Sequence, residues 1–430
     1  MFVTLMVLLL LGYPVAFTLG AVALLYGGIF LGFDFFHLLP LQIWGVMTNF
    51  TLLAVPLFIF MGVILDKSGL AEDLLETMAL LCGRLRGGLA LSVVIVGALL
   101  AATTGVVGAT VVTMGIIALP TMLKRQYSPP LACGTIAASG TLGQIIPPSI
   151  ILILLGDVMG VPVGRLFIGA VVPGLLLVVM FLVYIIVYAW LRPEAGPALE
   201  QAEDEKLLAR VVSTLIPPLL LVVGVLGSIF FGIASPTESA AIGGIGAMLL
   251  ALVHRKLDLQ KLQDAMRLTT RLTSMVFLIL IGATAFGLVF RGMGGAGLVL
   301  DLMTSLPGGK WGFLAVSMLI IFLLGFFLDF LQICFIVVPI LAPIANTLGV
   351  DLLWLAILIG INLQTSFLTP PFGFSLFYLK AVAPPSIGIH DIYRGIIPFV
   401  ILQVIAIILL ILFPDLVVWL PNVMDKMLGT

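Results

Sequence analysis

Charge is what this sequence has least of. Only 9% of its 430 residues are Asp, Glu, Lys or Arg, against about 25% in a typical soluble protein. That excludes a water-soluble enzyme and a disordered chain. The net charge of −1 leaves no electrostatic footprint for nucleic acid. The three histidines, His37, His254 and His390, are isolated and near loops, so they suggest neither a metal site nor a proton relay. The three cysteines, Cys82, Cys133 and Cys334, are odd in number, sit in or beside apolar segments and form no C-x-x-C pair. They read as small apolar residues rather than a disulfide framework or a metal centre. No Walker, G-x-S-x-G or H-E-x-x-H motif occurs, so ATP hydrolysis and enzyme chemistry have no candidate residues.

Apolar sequence is what is abundant. Hydrophobic residues make up 62% of the chain and mean hydropathy is +1.32. Runs near the ~20 residues that a helix needs to cross a bilayer recur from end to end, so the chain reads as an all-α polytopic membrane protein. The first run, Met1 to Leu11, has no leading Lys or Arg and no A-x-A site, so a cleaved signal peptide is not expected. It continues past Gly12-Tyr13-Pro14 to Phe33, as one bent helix or two.

Polar interruptions are few. Asp66 to Arg86 carries seven charges among apolar residues at helical spacing, the pattern of an amphipathic helix on the membrane surface. Arg192 to Arg210 is the one long polar connector, and His254 to Arg271 reads as a basic loop. Two apolar stretches, 89–123 and 312–345, are too long for one crossing and short for two. Each has small or polar residues near its centre. That suits a re-entrant hairpin whose tip stops inside the membrane, covered by protein.

The two halves repeat. Pro120 and Pro343 lie 223 positions apart, as do Pro147 and Pro370, while Pro14 and Pro236 lie 222 apart. The expected layout is a first copy over 1–191 with a hairpin at 89–123 and an unwound helix at 130–157. A linker follows over 192–210, then a second copy over 211–420 with a hairpin at 312–345 and an unwound helix at 352–379, and a tail over 421–430. Arg84, Arg86, Lys124 and Arg125 flank the first hairpin, and few positive residues besides Lys310 flank the second. By the excess of Lys and Arg in cytoplasmic loops, the first hairpin enters from the cytoplasm and the second from the opposite side. The copies are then inverted, the plan of secondary transporters with a midplane site.

The chemistry concentrates at the interruptions. In Gly140–Ser149 (GTLGQIIPPS), the Pro-Pro pair removes two amide donors and disfavours helix before it. Gly140 and Gly143 loosen the backbone ahead, so the helix should unwind near Thr141–Pro148. Freed carbonyls with Ser139 and Thr141 hydroxyls are hard oxygen donors suited to a bare cation such as Na⁺. Asn362, Gln364, Thr365, Ser366, Thr369 and Pro370-Pro371 stand at the matching place in the second half. The first hairpin tip is ATTGVVGAT (102–110) and the second is GFFLDFLQ (325–332). Small residues let half-helices approach closely, and their N-termini favour a carboxylate. Asp329 and Gln332 are polar groups in an apolar run, where an ionisable residue is functional by default. Asp329 is either a direct ligand or the cap of the hairpin's second half-helix. Ser235-Pro236-Thr237-Glu238 reads as a capping box. Asp157, Arg165, Arg291, Lys380 and Arg394 read as interface anchors at segment ends.

These residues resemble the large membrane subunit of tripartite ATP-independent periplasmic (TRAP) transporters. The resemblance rests on PLFIFMGVILDKSGLAEDL (56–74), the hairpin followed by SGTLGQIIPPSI, SPTESAA (235–241), and DFLQICFIVVPILAPI (329–344) followed by NLQTSFLTPPFGFSLFYLK. It implies Na⁺-driven uptake of a carboxylate, a periplasmic solute-binding protein, a small four-helix membrane subunit and an elevator-type transport domain in the bacterial inner membrane. It also implies sodium sites where each hairpin meets its unwound helix. Carried onto this chain, those are Thr103, Gly105, Gly108 and Thr110 with Ser139, Gly140, Thr141, Gly143 and Pro147, and Gly325 with Asn362, Gln364, Thr365, Ser366 and Thr369. Thr103, Thr104, Gln144, Asp329, Gln332 and Ser366 are the candidates for substrate. The alternative is a stand-alone Na⁺- or H⁺-coupled carboxylate or ion transporter of related fold.

Overall fold

The fold was obtained as a computed structural model that describes residues 1–105, 107–198 and 207–429. Nearly all of them are helical, and no strand occurs among them. The first half runs α1 (Phe2–Leu10), α2 (Val15–Phe30), α3 (Leu39–Met47), α4 (Ala54–Lys67), α5 (Leu70–Cys82), α6 (Gly88–Thr104), α7 (Val107–Lys124), α8 (Pro129–Thr141), α9 (Ile150–Met159) and α10 (Val163–Leu191). The second runs α11 (Leu207–Phe230), α12 (Pro236–Val253), α13 (Leu259–Gly292), α14 (Gly295–Thr304), α15 (Lys310–Leu324), α16 (Phe330–Gln332), α17 (Val338–Thr347), α18 (Leu352–Leu368), α19 (Phe374–Val382), α20 (Ile389–Leu412) and α21 (Asp415–Leu428). A π-helical turn over Ile333–Val337 joins α16 to α17 without a break. Seven described helices are long and apolar enough to cross a bilayer, or eight if a bent pair, Phe33–Met47 with Thr51–Lys67, counts as one.

Helix starts recur at nearly constant spacing: α6 and α15 begin 222 positions apart, α7 and α16 223, α8 and α18 223, α9 and α19 224, and α10 and α20 226. Two groups of helices carry the most extensive packing, and α4 and α5 join them through α6. In one, α4 packs on α12 and α13, and α2 on α13. In the other, α8 is nested among α6, α7 and α20, while α10 packs on α20 and α21. Small residues allow this packing in lipid, where apolar surface by itself drives no association. A Cβ on Gly134 of α8 would sit 2.0 Å from the Gly395 carbonyl oxygen of α20.

Helix α10, 29 residues long and so roughly 43 Å, shows where each hairpin begins. At its C-terminal end, Gly87 N donates to Gly196 O (2.8 Å) and Ser128 N to Ala195 O (2.9 Å), which places both feet of the α6–α7 hairpin there. At its N-terminal end, Arg165 pairs with Asp425 of α21 at 3.0 Å. The start of α21 shares a cleft with Lys310, Trp311, Asp351 and Trp354 at the feet of the α15–α17 hairpin. The two hairpins therefore start from opposite ends of α10. Of the described Lys and Arg, Arg165, Arg291, Lys310 and Lys426 are at the N-terminal end, whereas Arg86, Arg125, Arg192 and Arg210 are among those at the linker end.

Several boundaries differ from the sequence reading. The first apolar run is two helices, parted at Gly12 with φ +86°. The charged stretch 254–271 is mostly helix, because the 34-residue α13 begins at Leu259, with Asp258 Oδ1 accepting Lys261 N at 2.7 Å. The arm starts at Leu70, not Asp66, and buries Leu70, Leu74, Leu75 and Met78 in the protein rather than in lipid. Residues 421–428 are not a tail; they continue α21. Linker residues 199–206 lie outside the described residues.

Candidate functional site

Each hairpin grips one broken helix. In the first half, α8 ends at Thr141, a 3₁₀ turn follows over Leu142–Gln144, and α9 begins after Ser149. Two causes meet here: Pro147-Pro148 supply no amide donors, and Gly140 and Gly143 lower the cost of leaving the helix. Ser149 restarts the chain as an N-cap. Its Oγ donates to Gln144 O at 2.8 Å and accepts Leu152 N at 3.5 Å. No described donor reaches the carbonyls of Ile145, Ile146, Pro147 or Pro148.

The hairpin encloses this break. A Cβ on Gly140 would lie 2.3 Å from Val111 Cγ2 on α7, and one on Gly143 would lie 3.3 Å from Ala101 on α6. At the tip, Gly105 caps α6 with φ +60°, and a Cβ there would lie 3.1 Å from Ile150 at the start of α9. A Cβ on Gly108 would lie 3.1 Å from the Tyr378 ring on α19. The tip thus touches both second half-helices, and Gly108 faces the second broken helix rather than 139–147. Thr110 is buried. The side chains of Thr103 and Thr104, two of the sequence candidates, lie outside the described residues.

The second break is later and shorter than the sequence suggested. Helix α18 continues through Leu368, so Asn362, Gln364, Thr365 and Ser366 occupy its last two turns and are not unwound. No glycine stands between Ile361 and Pro370, and only Thr369, the residue directly before the proline, is forced out of the helix. The Pro147–Pro148 and Pro370–Pro371 bonds are both cis. Gly325 at the tip lies on Ser366: a Cβ there would sit 2.1 Å from Ser366 Oγ. Asn362 Nδ2 donates to Met318 O of α15 at 2.7 Å. Asp329 acts as a cap, its Oδ1 accepting Phe330 N at 2.8 Å. Ser375 Oγ at the start of α19 donates to Ala137 O of α8 at 3.1 Å, tying the two broken helices together.

The hydroxyls share one geometry. Ser139 Oγ donates to Ile136 O (3.1 Å), Thr141 Oγ1 to Ala138 O (2.8 Å), Thr365 Oγ1 to Ile361 O (2.8 Å), Ser366 Oγ to Leu363 O (2.9 Å) and Thr369 Oγ1 to Thr365 O (2.7 Å). Each proton is spent on the chain's own helix, which leaves oxygen lone pairs, the acceptor character a cation needs. Among the described residues, both amide atoms of Gln144 and Gln364 and the Oε1 of Gln332 are buried without a partner. An unsatisfied buried polar group costs about 1–3 kcal/mol, which makes these amides candidates to meet a ligand. Sequence reasoning missed a third such amide, Gln403 of α20, fully buried with neither atom partnered. It lies eight residues, about 12 Å, beyond Gly395, which touches Gly134. The parallel α8 reaches Leu142 over the same interval, so Gln403 comes level with the first break. A lone amide in an otherwise apolar span was the available signal.

The family described as "Tripartite ATP-independent periplasmic transporter, DctM component" matches residues 2–416. The chain belongs to this family. It is a TRAP large permease, a multi-pass protein of the inner membrane, and its relatives are transport proteins rather than enzymes. It is 32% identical to the C4-dicarboxylate TRAP transporter large permease of Pseudomonas aeruginosa over 89% of each chain. It is 31% identical to the ectoine TRAP transporter large permease of Halomonas elongata over 98% of each. It is 29% identical to the sialic acid TRAP transporter large permease of Vibrio cholerae over 96% of each. The crystal structure of the Alcanivorax borkumensis YdaH transporter, described as having an unusual topology, superposes with a TM-score of 0.66 at 15% identity. That match covers 97% of this chain and 98% of the other, a likeness of fold.

Proposed function

We propose that this TRAP permease couples inward Na⁺ movement to import of a carboxylate, working with a small four-helix membrane subunit and a periplasmic solute-binding protein. The observation that carries the reading is a pair of broken helices, each closed by a hairpin, which present proton-spent hydroxyls and an unpartnered amide at each break and free carbonyls at the first. Ser139, Gly140, Thr141, Gly143 and Pro147 with the first tip, and Ser366, Thr365, Thr369, Asn362 and Gln364 with Gly325, form the two cation sites. The half-helix N-termini of α9 and α19 favour the anionic group. C4-dicarboxylates, sialic acid and ectoine, named for the relatives, all carry a carboxylate. The halves 1–191 and 211–420 act as inverted copies, with the linker end in the cytoplasm by its Lys and Arg. Sodium bound at both hairpins seals the site, and the body holding α6–α10 and α15–α21 then moves across the membrane against the other.

A test independent of substrate is thermal unfolding of the purified transporter in NaCl against choline chloride. Bound sodium stabilises by mass action, so Na⁺ raises Tm, and Ser139→Ala with Ser366→Ala removes the rise. In proteoliposomes, uptake of labelled C4-dicarboxylate, sialic acid or ectoine requires sodium and the loaded binding protein. Full-rate uptake without sodium overturns the coupling; uptake without binding protein favours the stand-alone transporter.

A further inference from the structure

The molecule has two clefts at corresponding places, and they differ in lining. Each lies between a hairpin's outer arm and the short helix preceding that hairpin. The cleft of about 650 Å³ at the linker end is walled by Ile116, Ile117, Pro120 and Thr121 of α7 and by α5. The cleft of about 260 Å³ at the other end is walled by Pro339, Ile340, Pro343 and Ile344 of α17 and by α14 and α13. The four α7 residues and the four α17 residues stand 223 positions apart in order.

The linker-end cleft is lined by Glu72, Glu76, Arg125 and Arg210, and Arg210 Nη2 pairs with Glu76 Oε2 at 2.7 Å. An acyl chain there would strip water from these charges, which is costly. The opposite cleft holds one charged residue, Arg291, and no carboxylate; Phe286, Phe290, Leu300, Ile336 and Ile340 line much of the rest, with Thr347 at one end. Arg291 folds back along α13, with Nη1 3.9 Å from where a Cβ on Gly287 would sit, so the guanidinium overhangs the cleft. No described acid pairs with it. From Ile336 to Thr347 the hairpin wall is about 16 Å long. It is an apolar trough with a single unpaired cation at its mouth.

We infer that the α13–α14–α17 cleft is a phospholipid site: one acyl chain occupies the trough and the lipid phosphate is held by Arg291. Guanidinium and phosphate match as charge-assisted, bidentate partners. In lipid the chain gains little from burial alone, so shape and the Arg–phosphate contact select a bound lipid over the surrounding ones. The bound lipid wedges α14 against the second hairpin, with no counterpart at the linker end, giving the two ends different mechanical properties.

The test is native mass spectrometry of the intact transporter with its membrane subunit, released from nanodiscs of phosphatidylglycerol and phosphatidylethanolamine. The wild type retains one phospholipid. Arg291→Gln lowers that occupancy at least tenfold. Gly297→Phe abolishes it, because a Cβ on Gly297 has nothing within 4 Å and the ring enters the trough. Arg125→Gln in the counterpart cleft leaves retention unchanged. Equal retention in the wild type, Arg291→Gln and Gly297→Phe overturns the proposal. So does cross-linking of a cysteine at position 297 to the small membrane subunit, which would make the trough a protein interface. Neither readout depends on sodium or transport, so failure here is distinct from failure of the transport reading.

Discussion

In the first half the gripped helix gives way early. It leaves α-helical geometry at Leu142, turns through a 3₁₀ stretch and restarts at Ile150. In the second half α18 holds to Leu368 and only Thr369–Gly373 are irregular. The difference follows from the flanks. Two glycines loosen the first segment, whereas INLQTSFL in the second packs as helix up to the proline's own steric limit. The hairpin tips invert this order. The first turns at Gly105, while the second spends Gly325 to Asp329 before Asp329 caps α16. Helices outside the hairpins differ too: α3 and α4 meet at a 55° bend where the second half runs as the single helix α13. A similar site can thus be assembled from a loose helix under a tight tip or a tight helix under a loose tip.

The hardest way to break the comparison is to fill the contacts between hairpin and helix. Gly140→Val collides with Val111, and Gly325→Ala with Ser366 Oγ. Overpacking costs about 1–3 kcal/mol, so under the proposed sodium coupling uptake in proteoliposomes falls on the order of tenfold or more for either. Loss at one hairpin alone would mean that a single site carries the coupling. Replacing the unpartnered amides sharpens the comparison next. Gln144→Leu and Gln364→Leu raise stability by about 1 kcal/mol or more, because each removes an unsatisfied buried group, while uptake drops. A variant that unfolds sooner by thermal melting would show that its amide has a partner in the protein.

The caps are a smaller lever. Ser149→Ala and Asp329→Ala each cost about 1 kcal/mol of stability, and Asp329→Asn keeps both the cap and, within about twofold, the uptake rate. A complete loss of uptake in Asp329→Asn would make its charge a ligand. The smallest effect is expected at the linker end. Glu76→Gln or Arg210→Gln removes a half-exposed ion pair worth about 0.5 kcal/mol or less, a small shift in Tm that shrinks further in high salt.

Much of this was readable along the chain. The proline pairs, the two over-long apolar stretches and the Ser235–Glu238 box announced breaks, hairpins and a cap, since each acts on its own backbone. The box is present, with Glu238 Oε2 accepting Ser235 N at 2.7 Å and Ser235 Oγ accepting Glu238 N at 3.3 Å. The second interruption, expected over 362–371, spares Asn362–Leu368 and takes only Thr369 onward, because Pro-Pro alone does not say how far a helix fails ahead of it. Gln403 escaped notice because its own segment offers no motif.

From composition and spacing alone followed a helical membrane protein in two similar halves, each interrupted at a proline pair. Those traits are local: hydropathy, amide loss and backbone strain need no neighbour. Folding in three dimensions settled which polar side chains found partners, which amide Asp329 Oδ1 accepts, and how Arg291 came to overhang an apolar trough. Such outcomes depend on residues hundreds of positions apart being packed into one dry interior, where every unmet hydrogen bond carries its full cost.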